Sequence, residues 1–131
     1  MQIASNSFTV SSGSEQVLNF LSIPRNIALL LPTDRIQEFN ADETHCSFKA
    51  QGGINISLVF KERKASSVSY CSGANSPFPF DLLVSIDERE GKCTGQLLFN
   101  GEASPFIAMI AKGPLTALFN DMGENLVKVF K

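Results

Sequence analysis

Ser104–Lys131 reads SPFIAMIAKGPLTALFNDMGENLVKVFK. Its apolar residues fall at Phe106, Ile107, Ile110, Leu115, Leu118, Phe119, Met122, Leu126, Val129 and Phe130. Steps of this kind line one face of an α-helix. Ser104 is an N-cap residue and Pro105 suits the first helical position, where no backbone donor is needed. Lys128 and Lys131 complement the dipole at the other end. Pro114 lies inside the pattern; it removes one backbone hydrogen bond and crowds the carbonyl four residues back. Because the apolar stripe resumes at Leu115, a kink rather than a break is expected, tilting Phe106–Ile110 over one mouth of whatever the helix packs on. So apolar a helix must lie on something.

What precedes it reads mostly as strands. Residues 2–11 form a first strand with Ile3, Phe8 and Val10. Ser12 and Glu15 have capping-box spacing, and Val17, Leu18 and Leu21 give a short helix face. Pro24 ends that helix and opens a second, Arg25–Leu31, stopped before Pro32. Six strands follow, over 34–40, 43–50, 54–61, 68–72, 80–87 and 93–101. Alternation sets Cys46 and Phe48, then Ile56 and Leu58, Phe80, Leu82 and Val84, and Leu97 and Phe99 on inward faces. Gln51-Gly52-Gly53 and the Gly91 segment supply turns. The layout is α+β: a curved antiparallel sheet of about seven strands wrapped around a long C-terminal helix, with two short helices after strand 1.

At 131 residues one domain, 1–131, is expected, burying roughly two thirds of its unfolded surface. A net charge of -2 and a pI near 5.3 argue against nucleic acid, whose phosphates demand a basic footprint. The charges of 61–64 and 87–90 are mixed in sign and read as solvated hairpin ends. Eleven Phe with one Tyr and no Trp require a dry interior, since Phe has no polar handle. The opening residues carry no basic and apolar leader pattern, so none is expected, and no apolar run nears 18 residues. The expectation is a cytoplasmic protein without membrane insertion, with Cys46, Cys71 and Cys93 as free thiols.

Chemistry is sparse. His45 is the sole histidine and falls opposite Cys46 in parity, hence outward. Three scattered Cys and no HxxH pattern argue against a metal site, and no base accompanies a Cys nucleophile. No GxGxxG, Walker-type or GxSxG motif occurs, so no cofactor is called for. Tyr70, in phase with Val68, is the one polar group expected inside. Its hydroxyl could orient a ligand, or simply bond to backbone. Asp81 faces out. Asp34, Arg35 and Glu38 sit where the chain leaves the second helix, as a surface or entrance ion pair. Ser72 and Asn75, beside Gly73, can reach a mouth of the sheet.

The segments Ile23-Pro24-Arg25-Asn26-Ile27-Ala28, Thr94-Gly95-Gln96-Leu97, and Pro105-Phe106 through Pro114-Leu115 resemble small bacterial members of the START-like (SRPBCC) superfamily. That superfamily includes the birch-pollen-allergen, polyketide cyclase and lipid-transport, and coenzyme Q-binding types. The resemblance implies the helix-grip fold, with a hydrophobic cavity between sheet and C-terminal helix. Members bind lipids, sterols, polyketides or other apolar molecules; some are cyclases or hydrolases, and others bind proteins. Together with the alternation, it makes Phe48, Ile56, Leu58, Tyr70, Phe80, Leu82, Val84, Leu97 and Phe99 the expected lining, closed by Phe106, Ile110, Leu118, Phe119 and Met122. The expected partner is an apolar small molecule or lipid. The alternatives are a cyclase-type enzyme, or a protein-interaction or homodimeric module using an outer patch at Val59, Leu83 and Leu98.

Overall fold

A computed structural model describes all residues, Met1–Lys131. Eight strands form one antiparallel sheet: β1 (Gln2–Ala4), β2 (Phe8–Val10), β3 (Gln37–Ala41), β4 (His45–Ala50), β5 (Ile54–Lys64), β6 (Ser67–Ser72), β7 (Phe80–Arg89) and β8 (Lys92–Gly101). From β4 to β8 each strand pairs with its predecessor, and β1 and β2 both return to the free edge of β8. The expected first strand is thus two. The chain breaks at Ser5, whose amide donates to the Leu97 carbonyl while its hydroxyl accepts from the Leu97 amide, both at 2.9 Å. A polar side chain takes up the ladder position, and pairing resumes in a new register at Phe8. The strands also run longer than expected. Glu62–Lys64 and Asp87–Arg89 are paired up to the turns, as mostly exposed ends of their hairpins. The β7–β8 turn is only Glu90-Gly91, both at positive φ, the conformation whose twist suits two-residue hairpins.

Helix α1 (Ser14–Leu21) starts one step later than the capping-box spacing implied. Gly13 is the N-cap. The Gln16 side chain reaches back to the Gly13 amide, and the Glu88 carboxylate of β7 accepts from the Ser14 amide. Glu15 instead pairs with Arg63 of β5 at 2.8 Å. The second helix is a 3₁₀ segment, Pro24–Leu29. Val17, Leu18, Leu21, Ile27, Leu30 and Leu31 are buried from this unit. The 3₁₀ segment packs on β3, β4 and β5, and α1 on β6, β7 and β8, at one end of the sheet.

Helix α2 (Pro105–Val129) is capped by Ser104, whose hydroxyl accepts from the Ile107 amide, and runs unbroken through Pro114. The missing Pro114 donor leaves the Ile110 carbonyl without its helical partner. Beyond Pro114, Leu115, Leu118, Phe119, Met122, Gly123 and Leu126 are buried against the sheet. Gly123 permits a close approach: a Cβ there would lie 3.1 Å from the Phe8 ring, and one at Gly95 would lie 2.8 Å from the ring's far edge. Phe8 is therefore wedged between β8 and α2. Phe99 sits at the centre of the core, its ring 5.0 Å from Phe80, 5.1 Å from Phe119 and 6.2 Å from Phe78 between centroids. We predict that Phe99→Ala costs about 3–5 kcal/mol, as expected for a large ring deleted from a filled core. Urea denaturation measures it, and a loss below about 1 kcal/mol would mean the rings do not fill this space.

Candidate functional site

Alternation carries the inward residues of β4–β8 to one place. Phe48, Ile56, Leu58, Tyr70, Phe80, Leu82, Val84, Leu97 and Phe99 meet Leu118, Phe119 and Met122, and all twelve belong to one buried cluster. All twelve are buried, and the Phe80, Phe99 and Phe119 rings meet beneath the helix. The other two expected residues are elsewhere. Phe106 is 65% exposed and Ile110 54% exposed, with Met109 at 74% and Ile107 at 38% beside them. Upstream of Pro114 only Ala111 of α2 is buried.

The polar candidates resolve one by one. Tyr70 is buried, and its hydroxyl donates to the Leu21 carbonyl at 2.6 Å; it ties α1 to β6 instead of facing a ligand. Burial, with the Cys46 thiol beside it, raises its pKa well above the usual tyrosine range. Burial likewise pushes the Cys46 thiol up to about 12, so it is no thiolate nucleophile at neutral pH. His45 is half-exposed, its Nδ1 2.9 Å from Asp42. Asp42 is held down to about 2 chiefly by the Thr44 and His45 backbone amides it accepts from. Asp81 faces out toward Lys61 at 3.6 Å. Arg35 reaches across to Asp121 of α2, a contact no spacing argument identifies. The Ser72 hydroxyl accepts from the Phe80 amide and shapes the β6–β7 connection.

The outer patch is modest. Val59 and Leu83 are half-buried and Leu98 is 36% exposed. Leu83 lies opposite Leu98, and with Ala4 they border a hollow of about 500 Å³.

The feature that remains is at the rim. Ile107, Ile110 and Ala111 of α2 face Gly53–Asn55 at the start of β5 and Asn75, Pro77 and Phe78 of the β6–β7 connection. They enclose a groove of about 300 Å³ with no titratable side chain in its wall. The β4–β5 turn can lie open here because Gly52 and Gly53 both adopt positive φ, which costs glycine nothing sterically. Asn75 and Ile110 were foreseen near a mouth; Phe78, buried from within an irregular loop, was not, because no periodicity marks it.

No family model matches the chain, and no curated protein sequence does. Solved structures do. A START superfamily protein from Mycobacterium smegmatis is similar over 98% of this chain and 96% of its own, with 10% identity and a TM-score of 0.68. A truncated norcoclaurine synthase from Thalictrum flavum is similar over 98% of this chain and 92% of its own, with 12% identity and a TM-score of 0.71. For a protein from Thermus thermophilus the shares are 98% and 95%, with 9% identity and a TM-score of 0.76. At such identities the likeness shows the fold. An antiparallel sheet closed on a long C-terminal helix is the helix-grip architecture, and the chain has the START-like (SRPBCC) fold. No helix is long and apolar enough to cross a membrane.

Tyr70 offers a clean test, since it is the only tyrosine. The native protein should develop no phenolate absorbance at 295 nm near pH 10, roughly the ordinary tyrosine value. The fold holds this proton to higher pH than the unfolded chain does. Its stabilising contribution is therefore intact below about pH 10 and lost as pH rises beyond it. Ordinary titration in a protein still folded by circular dichroism would contradict the buried hydrogen bond.

Proposed function

We propose that the chain is a binding protein for an apolar small molecule or lipid, and that the ligand lies in the rim groove between the first turns of α2 and the β4–β5 and β6–β7 connections. The observation that carries this reading is the apolar start of α2: Ile107 and Ile110 line an uncharged groove, and their chain neighbours Phe106 and Met109 are exposed. Large apolar side chains exposed together, not singly, mark interaction sites. A groove of about 300 Å³ stands at the lower end of small-molecule sites. The close ring packing beneath the helix argues for the rim over a deep cavity. A cyclase-type activity has less support, because the Tyr70 hydroxyl is committed to Leu21 and the groove wall offers no acid or base.

Titration of the ¹⁵N-labelled protein with 1-octanol tests this. Saturable shifts are expected at Ile54, Phe78, Ile107, Ile110 and Ala111. The Ile110→Asp variant, changed at an exposed position, should keep its fold and lose at least about tenfold in affinity, since a charge placed against an apolar ligand is desolvated without a partner. Shifts centred on Phe99, Phe119 and Met122 would favour an interior cavity instead. The absence of any saturable shift would overturn the binding reading.

A further inference from the structure

The rim groove has a polar neighbour. On the outer face of β3–β5 lies a second hollow of about 440 Å³, bordered by Glu38, Asn40, Ser47 and Lys49, and it shares Asn55 and Asn75 with the apolar groove. The two asparagines thus form a ridge with an aliphatic wall on one side and a hydrogen-bonding wall on the other. Both are exposed. The hydrogen bonds around them run between other groups: Asn40 Nδ2 to the Glu38 carbonyl, and Ser76 Oγ with the backbone of Ser57. The amides of Asn55 and Asn75 are left with donors and acceptors to offer.

The ladder builds the polar side. Lys49 lies opposite Asn55 on β5, and Ser47 lies opposite Asn40 on β3. The β3–β4 register shifts between Gln37 and Asn40, and Glu38 has a φ of 57°. A bulge with a non-glycine residue in the left-handed region re-aims a side chain. Here it brings the Glu38 carboxylate within 3.8 Å of the Lys49 ammonium. The hollow therefore carries one charge of each sign, already paired. An anionic group entering it meets Glu38 and a cationic group meets Lys49, so neither is favoured. A neutral group rich in hydroxyls or amides can exchange hydrogen bonds with Asn40, Ser47, Asn55 and Asn75 without displacing the ion pair.

From this juxtaposition we infer that the ligand is an amphiphile with a neutral, hydroxyl-rich head. Its chain lies along Ile107 and Ile110, and its head crosses the Asn55–Asn75 ridge into the outer hollow. This rests on the rim-groove reading and adds the head-group chemistry to it. The test compares three octyl compounds below their micellar concentrations: n-octyl-β-glucoside, octyl sulfate and octyltrimethylammonium. The glucoside should bind about fivefold or more tighter than either charged compound, the scale of one or two added hydrogen bonds. It alone should shift Asn40, Ser47 and Lys49 as well as the groove residues. The double variant Asn40→Ala/Ser47→Ala, changed only in the outer hollow, should cut that preference to below about twofold while leaving 1-octanol binding unchanged. Equal binding of all three, with shifts confined to the groove, would overturn the head-group assignment and leave the groove standing. Tighter binding of a charged compound would also overturn it. Binding of 1-octanol but of none of the three would overturn the head-group assignment alone, and binding of neither 1-octanol nor any of the three would remove both readings together.

Discussion

The structure depends on one packing event: the burial of α2 from Leu115 to Leu126 against the inner face of the sheet. A twisted antiparallel sheet with one apolar face cannot leave that face wet, and no other element is long enough to cover it. Leu115, Leu118, Phe119, Met122 and Leu126 supply the cover, each of the size whose burial contributes roughly 1.5–3 kcal/mol. Phe8, wedged between Gly95 and Gly123, fixes how closely the helix seats. The α1 and 3₁₀ unit then closes one end of the sheet, where the last turns of α2 meet it through the Phe20 and Phe130 rings and the Asn125 bond to the Leu30 carbonyl, and the Tyr70 hydroxyl fastens it to β6.

Close ring packing in the interior bears on function. On the binding reading proposed above, the close packing of Phe78, Phe80, Phe99 and Phe119 leaves the interior to the rings and the ligand to the rim. Surface suited to an apolar molecule is displaced to the rim, where α2 extends past the covered face. The start of the helix is apolar yet has little to pack on, which is the opposite of what stability alone would select. Pro114 marks the boundary between the two regimes: the helix continues through it, but the residues before it are mostly exposed and those after it mostly buried or half-buried.

Much of this was legible in the chain. The period-2 pattern of β4, β7 and β8 and the apolar spacing of Ser104–Lys131 determine which side chains meet, because each pattern has only one buried face. The order of elements then leaves the helix a single partner. The misses have local causes. Residues 2–11 look like one strand because the Ser5 side chain substitutes for backbone pairing, and no periodicity records that. Phe106 and Ile110 share the apolar stripe of α2 but not its burial, since a helical pattern says which face is apolar and not how far the covering sheet extends. The Asn55–Asn75 ridge is brought together by the β6–β7 connection across an interval that spacing cannot measure, although Asn75 was legible as a residue near a mouth. Nor does any sequence pattern reveal whether facing Phe rings will enclose a space or fill it.

The central claim is that α2 is anchored beyond Pro114 and left unpartnered before it. Native-state hydrogen exchange reads this directly, because exchange reports local opening against global unfolding. The amides of Leu118, Phe119, Met122 and Leu126 should exchange only through global unfolding, while those of Met109 to Gly113 should exchange at least about a hundredfold faster. Uniform protection along the helix would contradict the claim: the first turns would then be held as firmly as the rest, and the rim would not be an open site.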